Sequence, residues 1–183
     1  MSRKRFNLDK QEHFPPFTMD GNWYDLSHLD SHKVEYLQES DGKDPIKYTF
    51  FVTYSMHCFA KDSPQQTISD KDRLMYQSKT ESRPFCLKRY NLSLQLRKVI
   101  EGISSKDAFV FHGGYETYAT YMLNDPEGNP IEYYISFVTY RYQRKLRLHV
   151  RSAYSLDEPL GKRKKVGFFK IAYNLLRNKK LPR

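Results

Sequence analysis

Residues 145–154 run Lys-Leu-Arg-Leu-His-Val-Arg-Ser-Ala-Tyr. Leu146, Leu148 and Val150 alternate with Lys145, Arg147, His149 and Arg151. A period of two is the signature of a β-strand with one apolar face, so the fold must supply a sheet and a layer that covers that face. The other face is a row of cations with a histidine inside it. Neighbouring like charges repel, and a row of one sign is accounted for by an anion lying along it. Nucleic acid is the natural polyanion, because each neutralised phosphate releases counterions. A solvent-facing edge strand guarded by Lys and Arg would carry the same string. Either way Arg147, His149 and Arg151 are expected to face solvent, with Leu146, Leu148 and Val150 buried.

The charge balance points to the same partner. The chain holds 31 Lys+Arg against 21 Asp+Glu, a formal charge of +10. Net charge bears on partners rather than on fold. The cations sit in Lys88-Arg89, in 140–151, in Lys162-Arg163-Lys164-Lys165 and in Arg177–Lys180, mostly in the second half. Tyr and Phe number 15 and 12. Arg beside Tyr holds unstacked bases by stacking and cation–π contact, although Tyr also favours strands for its own sake.

The 183 residues suit one domain with a real core. Residues 1–16 form a polar arm ending at Pro15-Pro16, and 17–183 form a single α+β domain with a long loop at 61–82. No apolar run reaches the ~20 residues of a membrane span, and no apolar stretch follows the basic start as a signal peptide requires. A cytoplasmic setting is expected. Cys58 and Cys86 have no metal-ligand spacing; they could meet across strands, but a reducing compartment is the simpler reading. No metal or cofactor is expected.

Strands are expected at 33–37, 46–60, 108–111, 117–123, 131–142 and 145–154, with a short one at 85–90. The spacing of Leu92, Leu96, Val99, Ile100 and Ile103 predicts the one main helix, ending near Gly102. Residues 166–173 suit a strand or a helix start. Hairpin turns at 124–130 and at Gln143-Arg144 predict an antiparallel sheet of six to seven strands. In 131–142 the odd positions Tyr133, Ile135 and Phe137 suit a core. Tyr134, Ser136, Tyr140 and Tyr142 then join the cations on the open face, unless the register slips by one.

No phosphate-cradling glycine loop, His-Glu-x-x-His or Gly-x-Ser-x-Gly motif is present. The remaining inventory of His, Arg and Tyr suits RNA cleavage through the 2′-hydroxyl, which needs a base, an acid and a cation on the phosphate. His57 ends a long strand just before the long loop and is the first candidate for proton transfer. His149 is the second. Tyr154 could assist as an exposed hydroxyl near a strand end. Arg89, Arg147 and Arg151, with Tyr134 and Tyr140, are candidates for substrate binding. Each has a plainer structural role open to it: a half-buried His satisfied by backbone, an Arg lying over the core, a core tyrosine. His28, among polar neighbours, suits a local cap.

The helix before an antiparallel sheet, the Arg/Tyr/His-lined face and the closing Leu148-His-Val-Arg151-Ser-Ala-Tyr154 resemble the barnase–EndoU–colicin–RelE group of metal-independent ribonuclease toxins. The resemblance covers roughly 85–175, and the first 84 residues are extra to it. It implies RNA as substrate, and an acidic antitoxin as partner. Separately, Asp20–Asp30, Tyr54–Phe59 and Arg151–Tyr154 are similar to strings in a family of uncharacterised bacterial and mobile-element proteins, a likeness that implies no activity. The expectation is a metal-independent ribonuclease, a toxin or defence effector. The alternative is a non-catalytic nucleic-acid-binding or phage-type inhibitor protein using the same face.

Overall fold

The computed structural model describes residues 13–79, 81–114, 117–124, 128 and 130–182; at 121–124, 130 and 131 only the backbone is described. The centre is a six-stranded sheet. Its strands are β3 (His32–Ser40), β4 (Lys43–Tyr54), β7 (Val110–Gly114), β8 (Thr117–Asn124), β9 (Pro130–Tyr142) and β10 (Lys145–Ser155), in the order β3-β4-β10-β9-β8-β7. Two small hairpins flank it: β1 (Phe17–Met19) with β2 (Asn22–Tyr24), and β5 (Met75–Gln77) with β6 (Ser82–Pro84).

The sheet is mixed. β10 pairs antiparallel with β9 and parallel with β4, Arg147 beside Phe51 and His149 beside Thr53. The expectation of a purely antiparallel sheet is therefore corrected at one seam. Hairpin patterning specifies only sequential neighbours, whereas the β4–β10 seam joins segments far apart in the chain.

The β9–β10 register is the one the alternation predicts. Tyr133, Ile135 and Phe137 are buried, as are Leu146, Leu148 and Val150. The hairpin closes at Gln143 and Arg144 with φ of 47° and 62°, the two left-handed residues of a tight turn whose twist matches the strands. Of the turn expected at 124–130, residues 125–127 and 129 lie outside the described residues.

Helices cover the apolar face. In α4 (Phe168–Leu176), Phe168, Ile171, Ala172 and Leu175 fall at helical spacing and are all buried. The undecided segment 166–173 is thus mostly helix. The main helix expected after Asn91 is two short ones, α2 (Leu87–Ser93) and α3 (Leu96–Glu101). The apolar spacing runs across both, but the buried Ser93 hydroxyl donates to Tyr90 O at 2.7 Å and also bonds His28. A serine that bonds back onto its own turn competes with the helix ladder. The strand expected at 85–90 is absent beyond a single Ala60–Phe85 bridge. Its residues open α2 instead.

The segment 61–82 is not loop alone. It contains α1 (Ile68–Leu74) and β5. Thr67 and Asp70 form a reciprocal capping box, with Asp70 N donating to Thr67 Oγ1 at 3.1 Å. No residue of α1 is buried, so no apolar periodicity announced it. Residues 1–12 of the expected arm lie outside the described residues, but Phe14 is already core, edge-on to Phe59 at 5.2 Å. Phe14, Phe17, Tyr24, Phe59, Tyr76, Phe85 and Tyr90 form an aromatic cluster that fixes both hairpins beside the end of β4.

Candidate active site

The open sheet face carries Phe51, Thr53, Tyr134, Ser136, Tyr140, Arg147, His149, Ser152 and Tyr154 by register. At the end where β4 stops and β10 continues, the chain leaves β4 through a helical turn, Met56–Cys58. Ser55 Oγ accepts from His57 N and starts that turn. Ser55 N donates to Val150 O at 2.9 Å, which ties it to β10.

Strict alternation from Leu146 onward would send Ser152 and Tyr154 into the core. A β-bulge prevents this. Val150 pairs with Phe137 and Ser152 with Ser136, leaving Arg151 as the extra residue. The bulge resets the phase, so Ala153 is core and Tyr154 joins His149 on the open face. Arg151 is exposed at the bulge.

His57 is half-buried. Its Nε2 lies 3.4 Å from Glu81 Oε2, a long contact for an ion pair or hydrogen bond. Burial and the neighbouring Arg83 push its pKa below the usual 6.5; Glu81 opposes them without overcoming them. The ring is thereby neutral near pH 7 and able to take a proton. Arg83 is half-buried, and its Nε is shielded with no hydrogen-bond partner among the described residues.

His149 corrects the expectation of a solvent-facing residue. It is only 7% exposed and shares a 2.9 Å contact between Nδ1 and Thr53 Oγ1. Burial, then Arg151 and His57, pull its pKa down to about 4. It is a neutral ring held inside the face. The alternation correctly gives its side of the sheet but not its depth. Arg147 is half-buried rather than open, its guanidinium 5.2 Å from the Phe51 ring centre and 5.9 Å from that of Tyr142.

Arg89 projects from α2 and donates Nη1 to His57 O at 2.7 Å and Ala60 O at 3.1 Å. The same guanidinium lies 5.3 Å from the Tyr154 ring centre, and Tyr154 packs on Tyr134 at 5.5 Å. Arg89 thus clamps the His57 turn onto Tyr154, and this contact to carbonyls replaces the phosphate role expected for its Nη1. Tyr140 sits opposite Arg147 further along the face. His28 lies elsewhere, its Nε2 2.8 Å from Ser93 Oγ.

His57, His149, Arg89, Arg151, Tyr134 and Tyr154 therefore share one end of the face, while Arg147 and Tyr140 lie toward the other. Sequence reasoning missed Glu81, Arg83, Thr53 and Phe51. Glu81 and Arg83 belong to the polar stretch before Pro84, and only the β5–β6 hairpin carries them to His57. Thr53 and Phe51 were legible as the outward positions of a strand; the parallel seam that makes them neighbours of β10 was not. No group of three or more His, Cys, Asp or Glu positioned to hold a metal occurs among the described residues. Cys58 and Cys86 are both free thiols. No described helix is long and apolar enough to cross a membrane.

No solved structure matches this chain. It is similar to "Protein YjaZ" of Escherichia coli (strain K12), 48% identical over 164 residues, covering 89% of this chain and 90% of that protein. Residues 16–176, which span both hairpins, the central sheet and α1–α4, match the YjaZ family, and the chain belongs to that family.

Proposed function

We propose that this protein is a metal-independent ribonuclease of the toxin or defence-effector kind, acting in the cytoplasm. The observation that carries the reading is His57: a neutral imidazole backed by Glu81, beside Arg83, at the end of a cationic aromatic face. In the reaction His57 takes the proton of an RNA 2′-hydroxyl. The 2′-oxygen attacks the adjacent phosphorus, and the bond to the 5′-oxygen breaks. Tyr154 gives its proton to that leaving oxygen. The products are a 2′,3′-cyclic phosphate and a 5′-hydroxyl. Arg83 and Arg151 hold the phosphate, and Arg89 positions His57 and Tyr154 relative to one another. His149 supports the site as a neutral, buried neighbour. An acidic protein covering the cationic face is the expected inhibitor.

The test is incubation of the purified protein with labelled RNA and DNA in EDTA. RNA alone should be cut, and His57→Gln should abolish cutting while binding persists.

One observation favours a second reading, nucleic-acid binding without cleavage. Lys33, Lys145 and Arg147 lie 5.2, 5.0 and 5.2 Å from the Phe51 ring centre, a cation–aromatic track suited to a single strand. Tight binding of intact RNA with no cleavage by the native protein would select this reading over the first.

A further inference from the structure

The other face of the sheet carries a separate feature. A cavity of about 480 Å³ opens between the end of α4, the chain after it and strands β7–β9. Its walls include His112, Thr139, Arg141, Asn178, Lys179 and Lys180. Thr139 and Arg141 occupy odd positions of β9, so the cavity lies across the sheet from His57 and His149.

The roof is held in place. Asn178, with φ of 53°, turns the chain at the end of α4. Lys179 N donates to Asn174 O at 2.7 Å, Asn174 Nδ2 donates to Lys180 O at 2.6 Å, and Tyr118 Oη donates to Pro182 O at 2.7 Å. Arg141 Nη1 donates to Leu176 O at 3.1 Å. The tail is thus fastened back over the sheet rather than left to solvent.

Two observations point to a ligand. First, Arg141, Lys179 and Lys180 line the cavity, and none of its described lining residues carries a carboxylate. Second, Thr139 is only 5% exposed, and its Oγ1 is shielded without a hydrogen-bond partner among the described residues. A buried hydroxyl left unpaired costs about 1–3 kcal/mol, and such groups are normally satisfied. Leu175, Leu181 and Pro182 add apolar wall. The volume lies within the ~300–1,000 Å³ of small-molecule sites.

We infer that this cavity binds a small organic anion, with its phosphate or carboxylate group on Arg141, Lys179 and Lys180, its body on the apolar wall and a polar atom on Thr139. The inference does not depend on RNA cleavage.

The test uses the full chain labelled with ¹⁵N and four probes: phenyl phosphate, benzoate, inorganic phosphate and benzyl alcohol. Phenyl phosphate should produce saturable amide shifts centred on His112, Thr139 and Lys180, more tightly than inorganic phosphate, and benzyl alcohol should produce none. Tighter binding of benzoate at the same amides would assign a carboxylate rather than a phosphate ligand. The double variant Lys179→Gln/Lys180→Gln should weaken binding at least tenfold. Thr139→Val should weaken it several-fold with an otherwise native spectrum, and Thr139→Ser should restore it. The inference is overturned if no anion gives saturable shifts there, if shifts spread evenly over the basic surface, or if the variants bind like the native chain.

Discussion

At the scale of single residues, the two histidines of the sheet end are separated by environment. His57 stays in reach of solvent and His149 does not, yet burial lowers the pKa of both. For a base this gives a defined pH profile. Cleavage should rise with pH as His57 loses its proton, with its midpoint below pH 6.5; a midpoint above 6.5 would assign the base elsewhere. His57→Gln should cost ~10²–10⁴ in rate with RNA affinity unchanged. His149 gives a stability prediction instead. Its folded pKa of about 4 lies below the unfolded value near 6.5, so between these the unfolded chain binds the extra proton. Stability is then full above pH 6.5 and falls as pH drops toward 4, by up to about 3 kcal/mol from this group. Urea denaturation at pH 7 and at pH 4.5 should show a smaller loss in His149→Gln, which keeps a polar partner for Thr53. An unchanged loss would mean the ring is not the acid-sensitive group.

At the scale of elements, the site depends on one irregularity in β10. The bulge at Arg151 puts Tyr154 on the face of His149 and keeps Ala153 in the core. The side chain of Arg151 and its place as the extra residue can be tested separately. Arg151→Ala should change stability by no more than about 0.5 kcal/mol, as exposed substitutions usually do. Deleting Arg151 removes the extra residue and closes a regular ladder from Val150 to Ser152, so Ser152 and Tyr154 should stay on the open face and Ala153 in the core. Thermal unfolding should show both variants folded cooperatively. A poorly folded deletion variant would show that the bulge does more than keep the phase of β10. Arg89 is the companion device. It joins α2 to the end of β4 through the carbonyls of His57 and Ala60, so helix and sheet meet at the site.

At the scale of the whole molecule, the formal charge of +10 is distributed over both sides of the sheet. Lys33, Lys145, Arg147 and Arg151 belong to the face of the candidate site, whereas Arg141, Lys179 and Lys180 surround the cavity across the sheet. If the four site-face cations each meet a phosphate, affinity for single-stranded RNA should fall with salt with a log–log slope of about −3, at about 0.7 per contact. Fluorescence anisotropy with oligouridylate across a salt series measures this slope. Lys145→Gln should make it shallower by roughly 0.7, whereas the Lys179→Gln/Lys180→Gln pair should leave it unchanged. A slope near zero would remove nucleic acid as the partner of this face.

The strings around Leu146–Val150 and Tyr133–Phe137 determined their strands, their hairpin and their buried faces, because burial of one side forces alternation and a slipped register would expose the whole apolar set. The sequence also placed His57 at a strand end and Tyr134 on the face that carries the β10 cations. It did not determine the depth of His149, which follows from the parallel seam with Thr53, a pairing between segments about a hundred residues apart that leaves no local trace. It left Ser93 looking like one position in a continuous helix, because only the tertiary contact with His28 reveals that its hydroxyl is committed and buried. Glu81 and Arg83 read as part of a polar loop, since α1 buries nothing and the β5–β6 pair is short. Local periodicity reports which side of an element is apolar. What meets that side, how deep a polar residue lies and which distant charges share its surroundings are set by packing, and packing alone decided the surroundings of His57.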